Sequence, residues 1–279
     1  MNLTVSRASL DEWQQAVAWA RSEGWNPGDG DEVCFHPTDP RGFFLGRLDD
    51  GQVVSAISVV TYSPAFAFLG FYLVHPGFRR RGLGLATWRA AFAHAGERTV
   101  GLDAVPEQEN TYKRSGFTSA HRTVRYTGRP AAAPAADVLP YAPGLRTAIA
   151  EYDRACFPAE RPAFVERWLT AEGHRSLVRL REGRVTGYGV IRPAAEGHRV
   201  GPLFADTAED AGALLSSLTA PLGPEATVSL DIPEPNAAAC ALAESLGLAA
   251  VSHTVRMYRG PAPATGVDRT FGVTTLELG

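Results

Sequence analysis

A stretch of arginines and glycines contains the residues of this sequence that most clearly suggest chemistry. Residues 72–88 read YLVHPGFRRRGLGLATW, a β-rich run that leads through a turn into an apolar pattern with helical spacing. The first N–H groups of a helix lack intrahelical partners and carry the positive end of the helix dipole. Gly82 and Gly84 allow the backbone to approach a ligand closely, and the arginines at positions 79–81 add positive charge. The turn therefore predicts a pyrophosphate site, although its spacing is neither a Walker loop nor a GxGxxG turn.

The composition places this turn in a mildly acidic globular protein. The 279 residues are 45% hydrophobic and 20% charged, with a formal net charge of -3. A general nucleic-acid binder needs a basic face, so the arginine cluster favours a small anionic ligand. Cys34, Cys156 and Cys240 are widely spaced, which predicts free thiols rather than a metal site or a disulfide framework. We expect a cytoplasmic protein without membrane contact, because no apolar run reaches membrane length and the amino-terminal residues lack a signal-peptide pattern.

A Pro/Ala-rich run divides the chain into two nearly equal parts. Residues 127–144 read TGRPAAAPAADVLPYAPG, which is typical of a semi-stiff linker. The patterns before it predict a strand, a helix, three strands, a helix over about residues 82–95, a strand, a short helix and a strand. The second part repeats this order with two helices in place of the opening strand and helix, and GLDAVPEQ in the first part is echoed by SLDIPEPN in the second. We therefore expect one α/β fold with a mixed sheet, used twice, with units at 1–128 and 145–279 and a linker at 129–144.

Two signatures in the first part resemble those of the GNAT family of acyl-CoA-dependent N-acyltransferases. Arg79, Gly82 and Gly84 match that family's R/Q-x-x-G-x-G/A turn after a strand, and Tyr112 lies four residues before a Gly-Phe pair. The resemblance covers about residues 2–128. It implies two tandem GNAT-like domains, each a mostly antiparallel mixed sheet with helices on both faces. The implied reaction is transfer of an acetyl or other acyl group from CoA to the amine of a small molecule, by direct attack in a ternary complex.

The resemblance also implies roles for individual residues. The backbone of Leu73 and Val74 would pair with the pantetheine amides of the donor. Tyr112 would protonate the leaving thiolate, since a phenol is protonated at neutral pH yet acidic enough to share its proton. The residues expected at the pyrophosphate are Arg79, Arg80, Arg81, Gly82, Leu83, Gly84 and Leu85.

The sequence offers several candidates for the general base. Many members of the family use a glutamate on the central strand, but the corresponding run here, FAFLGFYLV, contains no acid. Asp103, after the next strand, is the first candidate for the base. Glu107, Glu109 and His75 are alternatives, as is a water relay without a dedicated base.

The loop SEGWNPGDGDE is the expected cover of the acceptor pocket. The resemblance places this helix-to-strand connection over the acceptor, and Trp25, Asn26 and Asp31 could contact an amine there. The identity of the acceptor and the length of the acyl chain are not readable from the sequence.

The second part has lost the features of the donor site. The equivalent of the arginine turn is FADTAED, residues 204–210, where acids replace arginines, and Ala243 stands at the position of Tyr112. We expect this part to shape the acceptor pocket, either in a monomer that is itself a pseudo-dimer or in a homodimer. Two alternatives to a CoA-dependent enzyme remain, a non-catalytic acyl-CoA-binding module and an acyltransferase whose donor is attached to a carrier protein.

Overall fold

The structure, a computed structural model, describes residues 2–131 and 133–279, so that Ala132 of the predicted linker and Met1 lie outside it. Each half combines strands with helices on both sides of the sheet. The elements of the first half are β1 (Leu3–Arg7), α1 (Leu10–Ser22), α2 (Asp31–Phe35), β2 (Phe43–Leu48), β3 (Val53–Thr61), β4 (Phe66–Val74), α3 (Leu83–Phe92), β5 (Thr99–Ala104), α4 (Glu109–Arg114) and β6 (Thr118–Gly128). Those of the second half are β7 (Val138–Pro140), α5 (Arg146–Cys156), α6 (Pro162–Thr170), β8 (Arg175–Arg181), β9 (Arg184–Pro193), β10 (His198–Ala205), α7 (Ala208–Thr219), β11 (Val228–Pro233), α8 (Ala237–Ser245), β12 (Ala249–Arg259) and β13 (Thr270–Gly272).

The predicted order of elements is confirmed, with α2, β7 and β13 as additions. Local residue chemistry explains the agreement. Ser9 Oγ accepts from the Glu12 N–H at 3.3 Å while the Glu12 carboxylate accepts from the Ser9 N–H at 2.8 Å, a capping box that starts α1. Glu182 and Gly183 both have positive φ, 52° and 76°, as the tight turn between β8 and β9 requires.

The strands of both halves form one continuous sheet. Its order is β1-β2-β3-β4-β5-β12-β6-β11-β10-β9-β8-β7, with β13 beside β10. Two neighbouring pairs are parallel, β4 with β5 and β10 with β11. Each pair is connected by a crossover helix, α3 in the first half and α7 in the second, so the internal repeat is present in the topology.

The last strand of each half completes the sheet of the other half. β12 pairs with β5, whereas β6 pairs with β11, and β6 and β12 pair with each other. The two halves are therefore joined by hydrogen-bonded ladders as well as by the linker. The proposed boundaries at residues 128 and 145 remain predictions.

A segment after β13, residues 273–279, returns to the first half and packs against β4. The Tyr62 hydroxyl donates to the Leu278 carbonyl oxygen at 3.0 Å, and the Leu278 side chain is fully buried. A Cβ on Gly70 would lie 2.0 Å from the carbonyl oxygen of Glu277. Residue 70 must therefore lack a side chain for the 273–279 segment to reach the sheet.

Candidate active site

The turn between β4 and α3 presents backbone donors to solvent. Gly82 and Arg80 have positive φ values of 78° and 62°, so the backbone does not adopt right-handed helical geometry until α3 begins. Among the described residues, no hydrogen bond uses the backbone N–H groups of residues 80–85. A Cβ on Gly84 would lie 2.7 Å from Val74 Cγ2, so the close approach of α3 to β4 needs a glycine. These open donors at the start of a ten-residue helix fit a diphosphate group.

The three arginines of the turn have different surroundings. Arg79 Nε donates to the Val74 carbonyl oxygen at 2.9 Å, and its Nη2 is bonded to the Glu23 carboxylate. Arg79 therefore ties the turn to β4 and to the end of α1. Arg80 and Arg81 are exposed and make no ion pair with the described residues, which leaves their guanidinium groups available to an anion.

β4 and β5 separate in the middle of the sheet. They pair only where Phe66–Leu69 faces Thr99–Leu102, although β4 continues to Val74. The register between β3 and β4 shifts just beyond this point, and Phe71 takes a positive φ of 48°. Leu73 and Val74 lie in the diverging part of β4, where they pair with β3.

A cavity of about 420 Å³ opens at this separation. Both halves of the chain contribute to its wall. The lining residues are Gly24, Trp25, Leu69, Gly70, Phe71, Tyr72, Leu102, Asp103, Val105, Pro106, Glu107, Tyr112, Arg125, Ser252, His253, Thr254, Leu276 and Glu277.

Tyr112 presents a protonated phenol to this cavity. Its ring packs between those of Trp88 and Phe117, with centroids 5.6 and 6.0 Å away. Burial raises the pKa of Tyr112 well above its usual value, and the neighbouring Tyr72 raises it further. Its hydroxyl makes no hydrogen bond to any described residue. The cavity therefore contains a neutral donor with an open position.

Asp103 also lines the cavity, but its carboxylate is already paired. Both of its oxygens accept from Arg256 of β12, at 2.9 and 2.7 Å, and its side chain is fully buried. Burial raises the pKa of Asp103 and the Arg256 charge opposes that rise. This bidentate pair joins the two halves and occupies the lone pairs that a base would use.

The alternative bases lie at the rim or outside the cavity. Glu107 lines it but is exposed to solvent. Glu109 pairs with Lys113 at 2.7 Å and accepts from Ser119 Oγ at 2.6 Å. His75 Nδ1 accepts from the Gly77 N–H at 3.3 Å, inside the turn between β4 and α3.

Of the three residues expected at the acceptor, Trp25 lines the cavity. Asn26 exchanges two hydrogen bonds with the backbone of Glu196, at 2.9 and 3.0 Å. Asp31 is buried and accepts from Arg192 of β9 at 2.6 and 2.9 Å. The side chains of Asn26 and Asp31 are thus engaged in contacts between the halves and lie outside the cavity lining.

The cavity wall formed by the second half was not predicted from the sequence. It consists of Ser252, His253 and Thr254 on β12 and of Leu276 and Glu277 on the 273–279 segment. The Thr254 hydroxyl is buried without a hydrogen-bond partner among the described residues. β12 reaches the cavity only because it pairs with β5 of the first half. No local motif therefore links these positions to Tyr112.

In the second half, the turn equivalent to the arginine turn is filled by its own side chains. Thr207 Oγ1 accepts from the Asp210 N–H at 3.1 Å and so caps α7. The Asp210 carboxylate lies 2.6 Å from Arg179 Nε and 2.8 Å from Arg181 Nε. Carboxylates therefore stand where a diphosphate would have to bind, and they would repel it.

Residues 2–131 and 133–279 contain neither a cluster of metal ligands nor a membrane-spanning helix. No group of three or more His, Cys, Asp or Glu side chains in them is arranged to hold a metal ion. None of their helices has the length and apolar character needed to cross a bilayer.

Known proteins similar to this chain cover both halves. Residues 10–117 match the acetyltransferase (GNAT) family and residues 149–272 match an acetyltransferase (GNAT) domain. Holothin acyltransferase of Pseudoalteromonas sp. (strain SANK 73390) is 34% identical over 279 residues, 99% of this chain and 94% of that protein. The uncharacterized N-acetyltransferase YitH of Bacillus subtilis (strain 168) is 22% identical over 222 residues, 75% of each chain.

Solved structures share the complete two-part fold. A putative acetyltransferase from Pyrococcus horikoshii superposes with a TM-score of 0.82 at 24% identity, covering 99% of this chain and 96% of that one. A tandem GNAT protein from the clavulanic acid biosynthesis pathway gives 0.64 at 18% identity, covering 94% and 100%. The chain therefore belongs to the GNAT family, whose members use acyl-CoA, carries two GNAT domains in tandem, and is an enzyme of the N-acetyltransferase class that acts on an acceptor substrate.

Proposed function

We propose that the protein transfers an acyl group, with acetyl-CoA as donor, to the amine of a compact small molecule by direct attack in a ternary complex. The observation that carries this proposal is the cavity itself. It starts at the separation of β4 and β5, is lined by Tyr112, and has one wall formed by the second half. One cavity can therefore hold a thioester and an amine next to a proton donor.

The donor binds across the turn and along the end of β4. The N–H groups of residues 80–85 bind the diphosphate, Arg80 and Arg81 neutralise its charge, and Arg79 holds the turn in place. The backbone of Leu73 and Val74 pairs with the pantetheine arm where β4 leaves β5. This orientation directs the thioester toward Tyr112.

Tyr112 protonates the sulfur as the C–S bond breaks. Its pKa is raised by burial, so the phenol holds its proton until a thiolate develops beside it. Asp103 is bound to Arg256 on both oxygens. We therefore assign to Asp103 the positioning of β12 against β5 rather than removal of a proton from the amine.

The acceptor is a small, largely apolar amine. The volume of about 420 Å³ lies within the usual range for small-molecule pockets, and Trp25, Phe71, Tyr72 and Leu276 supply apolar wall. The 34% identical relative is named for acylation of holothin, so holothin and amines of similar size are the acceptors to test first.

Free-thiol release from acetyl-CoA in the presence of candidate amines tests the proposal. The panel includes holothin, benzylamine, tryptamine, amino acids and an aminoglycoside. We expect acceptor-dependent release by the wild-type protein, and a decrease of about 10²-fold for Tyr112→Phe, since acid–base groups contribute about 10²–10⁴ to rates. Tyr141→Phe is the control, because the Tyr141 hydroxyl donates to Glu166 Oε2 at 2.8 Å and Tyr141 lies outside the cavity lining. Binding of CoA without thiol release for every amine and every acyl group tried would refute the proposal.

A further inference from the structure

Glu277 is an acidic residue whose backbone packs against β4, a strand without an acid of its own. β4 contains no acidic residue, and the 273–279 segment lies directly against it at Gly70. The Glu277 carbonyl oxygen occupies the space that a Cβ at position 70 would need, at 2.0 Å. A residue distant in sequence therefore stands beside the middle of the central strand, on the wall of the cavity that also contains Tyr112.

Glu277 differs from three nearby buried carboxylates in having no partner among the described residues. Asp31, Asp103 and Asp231 each accept hydrogen bonds from buried arginines. Glu277 is only 5% exposed, yet its carboxylate makes no hydrogen bond and no ion pair with the described residues. Because an unpaired buried carboxylate is costly, its presence next to a binding cavity points to a ligand that it serves.

The charges around Glu277 come from several elements of both halves. Burial raises the pKa of Glu277. The charges of Arg199 and Arg125 oppose this rise, whereas those of Asp31 and Asp231 add to it. The other titratable side chains on the cavity wall are Tyr72, Asp103, Glu107, Tyr112 and His253. A carboxylate with a raised pKa is better matched to accept a proton near neutral pH than an ordinary surface glutamate.

We propose that Glu277 contacts the acceptor amine and takes its proton during acyl transfer. The inference rests on the proposed function above. The amine nitrogen forms a bond to the thioester carbonyl carbon and the C–S bond breaks. The proton lost by nitrogen goes to Glu277, and the thiolate sulfur receives a proton from Tyr112. Proton exchange with solvent then returns both side chains to their starting states.

This assignment makes the second half part of the chemical site. The proton donor lies on α4 of the first half, and the acceptor of the amine proton lies on the 273–279 segment. The two groups meet only when that segment is packed against Gly70.

Glu277→Gln, with Glu277→Asp as a second variant, tests the role of the carboxylate. We measure kcat, KM and the pH dependence of kcat/KM with the fastest amine of the panel above. We expect Glu277→Gln to lower kcat by about 10²-fold. In the dependence of kcat/KM on pH, the limb caused by ionisation of Glu277 should disappear. The limb caused by ionisation of the amine substrate should remain. Glu277→Asp keeps the charge on a shorter side chain, and should retain that limb with an intermediate rate.

Thermal unfolding separates this role from a structural one. The raised pKa means that the ionised form of Glu277 destabilises the folded protein at neutral pH, so Glu277→Gln should unfold at the same or a higher temperature. Glu32→Gln is the matched control, because Glu32 Oε2 is buried without a hydrogen-bond partner among the described residues, and Glu32 lies outside the cavity lining. It should leave kcat and the pH profile unchanged.

The outcomes distinguish this inference from the proposed function. A wild-type protein that acylates amines, together with a Glu277→Gln variant of equal kcat and unchanged pH profile, overturns the role of Glu277 alone. A Glu277→Gln variant that loses activity only in proportion to its loss of folded protein does the same. A wild-type protein that acylates no amine overturns both. A folded, CoA-binding variant with a rate decreased about 10²-fold and one limb missing supports the proposal.

Discussion

At the scale of single residues, the proposed donor site depends on how closely α3 can approach β4. Gly84 faces Val74 and Tyr72 across that contact, and a Cβ there would lie 2.7 Å from Val74 Cγ2 and 2.9 Å from the Tyr72 hydroxyl. Both distances are shorter than ordinary van der Waals contact. A side chain at this position must push the helix N-terminus away from the strand.

We expect Gly84→Ala to weaken binding of acetyl-CoA about tenfold. Overpacking costs about 1–3 kcal/mol, and 1.4 kcal/mol corresponds to a factor of ten. Isothermal titration with CoA measures the change. Gly77→Ala is the control in the same turn, because the nearest atom to its Cβ is 3.5 Å away and there is room for the methyl group. Equal affinities of the two variants would contradict this account of the turn.

At the scale of elements, a cluster of three charges beside the cavity holds neighbouring strands together. Asp231 of β11 accepts from Arg125 of β6 at 2.8 and 3.2 Å, and Arg199 of β10 is bonded to the same carboxylate. The two guanidinium groups lower the pKa of Asp231 to about 2 against the opposing effect of burial. Arg125 also donates to the Trp25 carbonyl oxygen at 2.9 Å, which links the cluster to the cavity wall.

The stability contributed by Asp231 should be lost in acid. The folded pKa of Asp231 lies below its unfolded value of 3.8, so the contribution is present above about pH 4 and disappears as the pH falls toward 2. A shift of this size corresponds to about 2 kcal/mol of unfolding free energy. Urea unfolding of the wild-type protein between pH 2 and pH 6 measures it.

Asp231→Asn tests the same cluster at neutral pH. We expect a loss of about 3–5 kcal/mol of unfolding free energy at pH 7, because two buried guanidinium groups lose their counter-charge. Glu225→Gln, which removes an exposed partner of Arg129, should cost less than about 1 kcal/mol. Similar losses for both variants would show that the cluster contributes no more to the unfolding free energy than an exposed ion pair does.

At the scale of the whole molecule, each half depends on the other because the last strand of each half, β6 or β12, pairs with strands of the other half. In a fragment of residues 1–128, β5 would lose β12 as its neighbour, and β6 would lose both β12 and β11. The cavity would also lose the wall formed by Ser252–Thr254 and Glu277. Unpaired strand edges favour aggregation, so neither the sheet nor the site should survive in the fragment.

We therefore expect the 1–128 fragment to be inactive and largely unfolded by circular dichroism. Coexpression with the 129–279 fragment should restore the sheet and thiol-release activity, since every interstrand ladder is then available. A 1–128 fragment that folded alone and kept full activity and selectivity would disprove the role of the second half in the acceptor pocket.

The sequence by itself determined the features that depend on local spacing. The turn at positions 79–84, the helix that starts after it and Tyr112 before a Gly-Phe pair are short-range patterns, and they were sufficient to predict the family and the order of elements. The repeat was visible as well, because its two copies have similar hydrophobic patterns.

Only the tertiary structure decided how the two halves share one site. Asp103 looked available in the sequence, but β12 places Arg256 against both of its oxygens. Glu277 carried no signal, because a single glutamate near a loop has no pattern until the 273–279 segment packs at Gly70. Contacts between residues far apart in the chain depend on strand pairing and burial, and neither is encoded by the spacing of neighbouring residues.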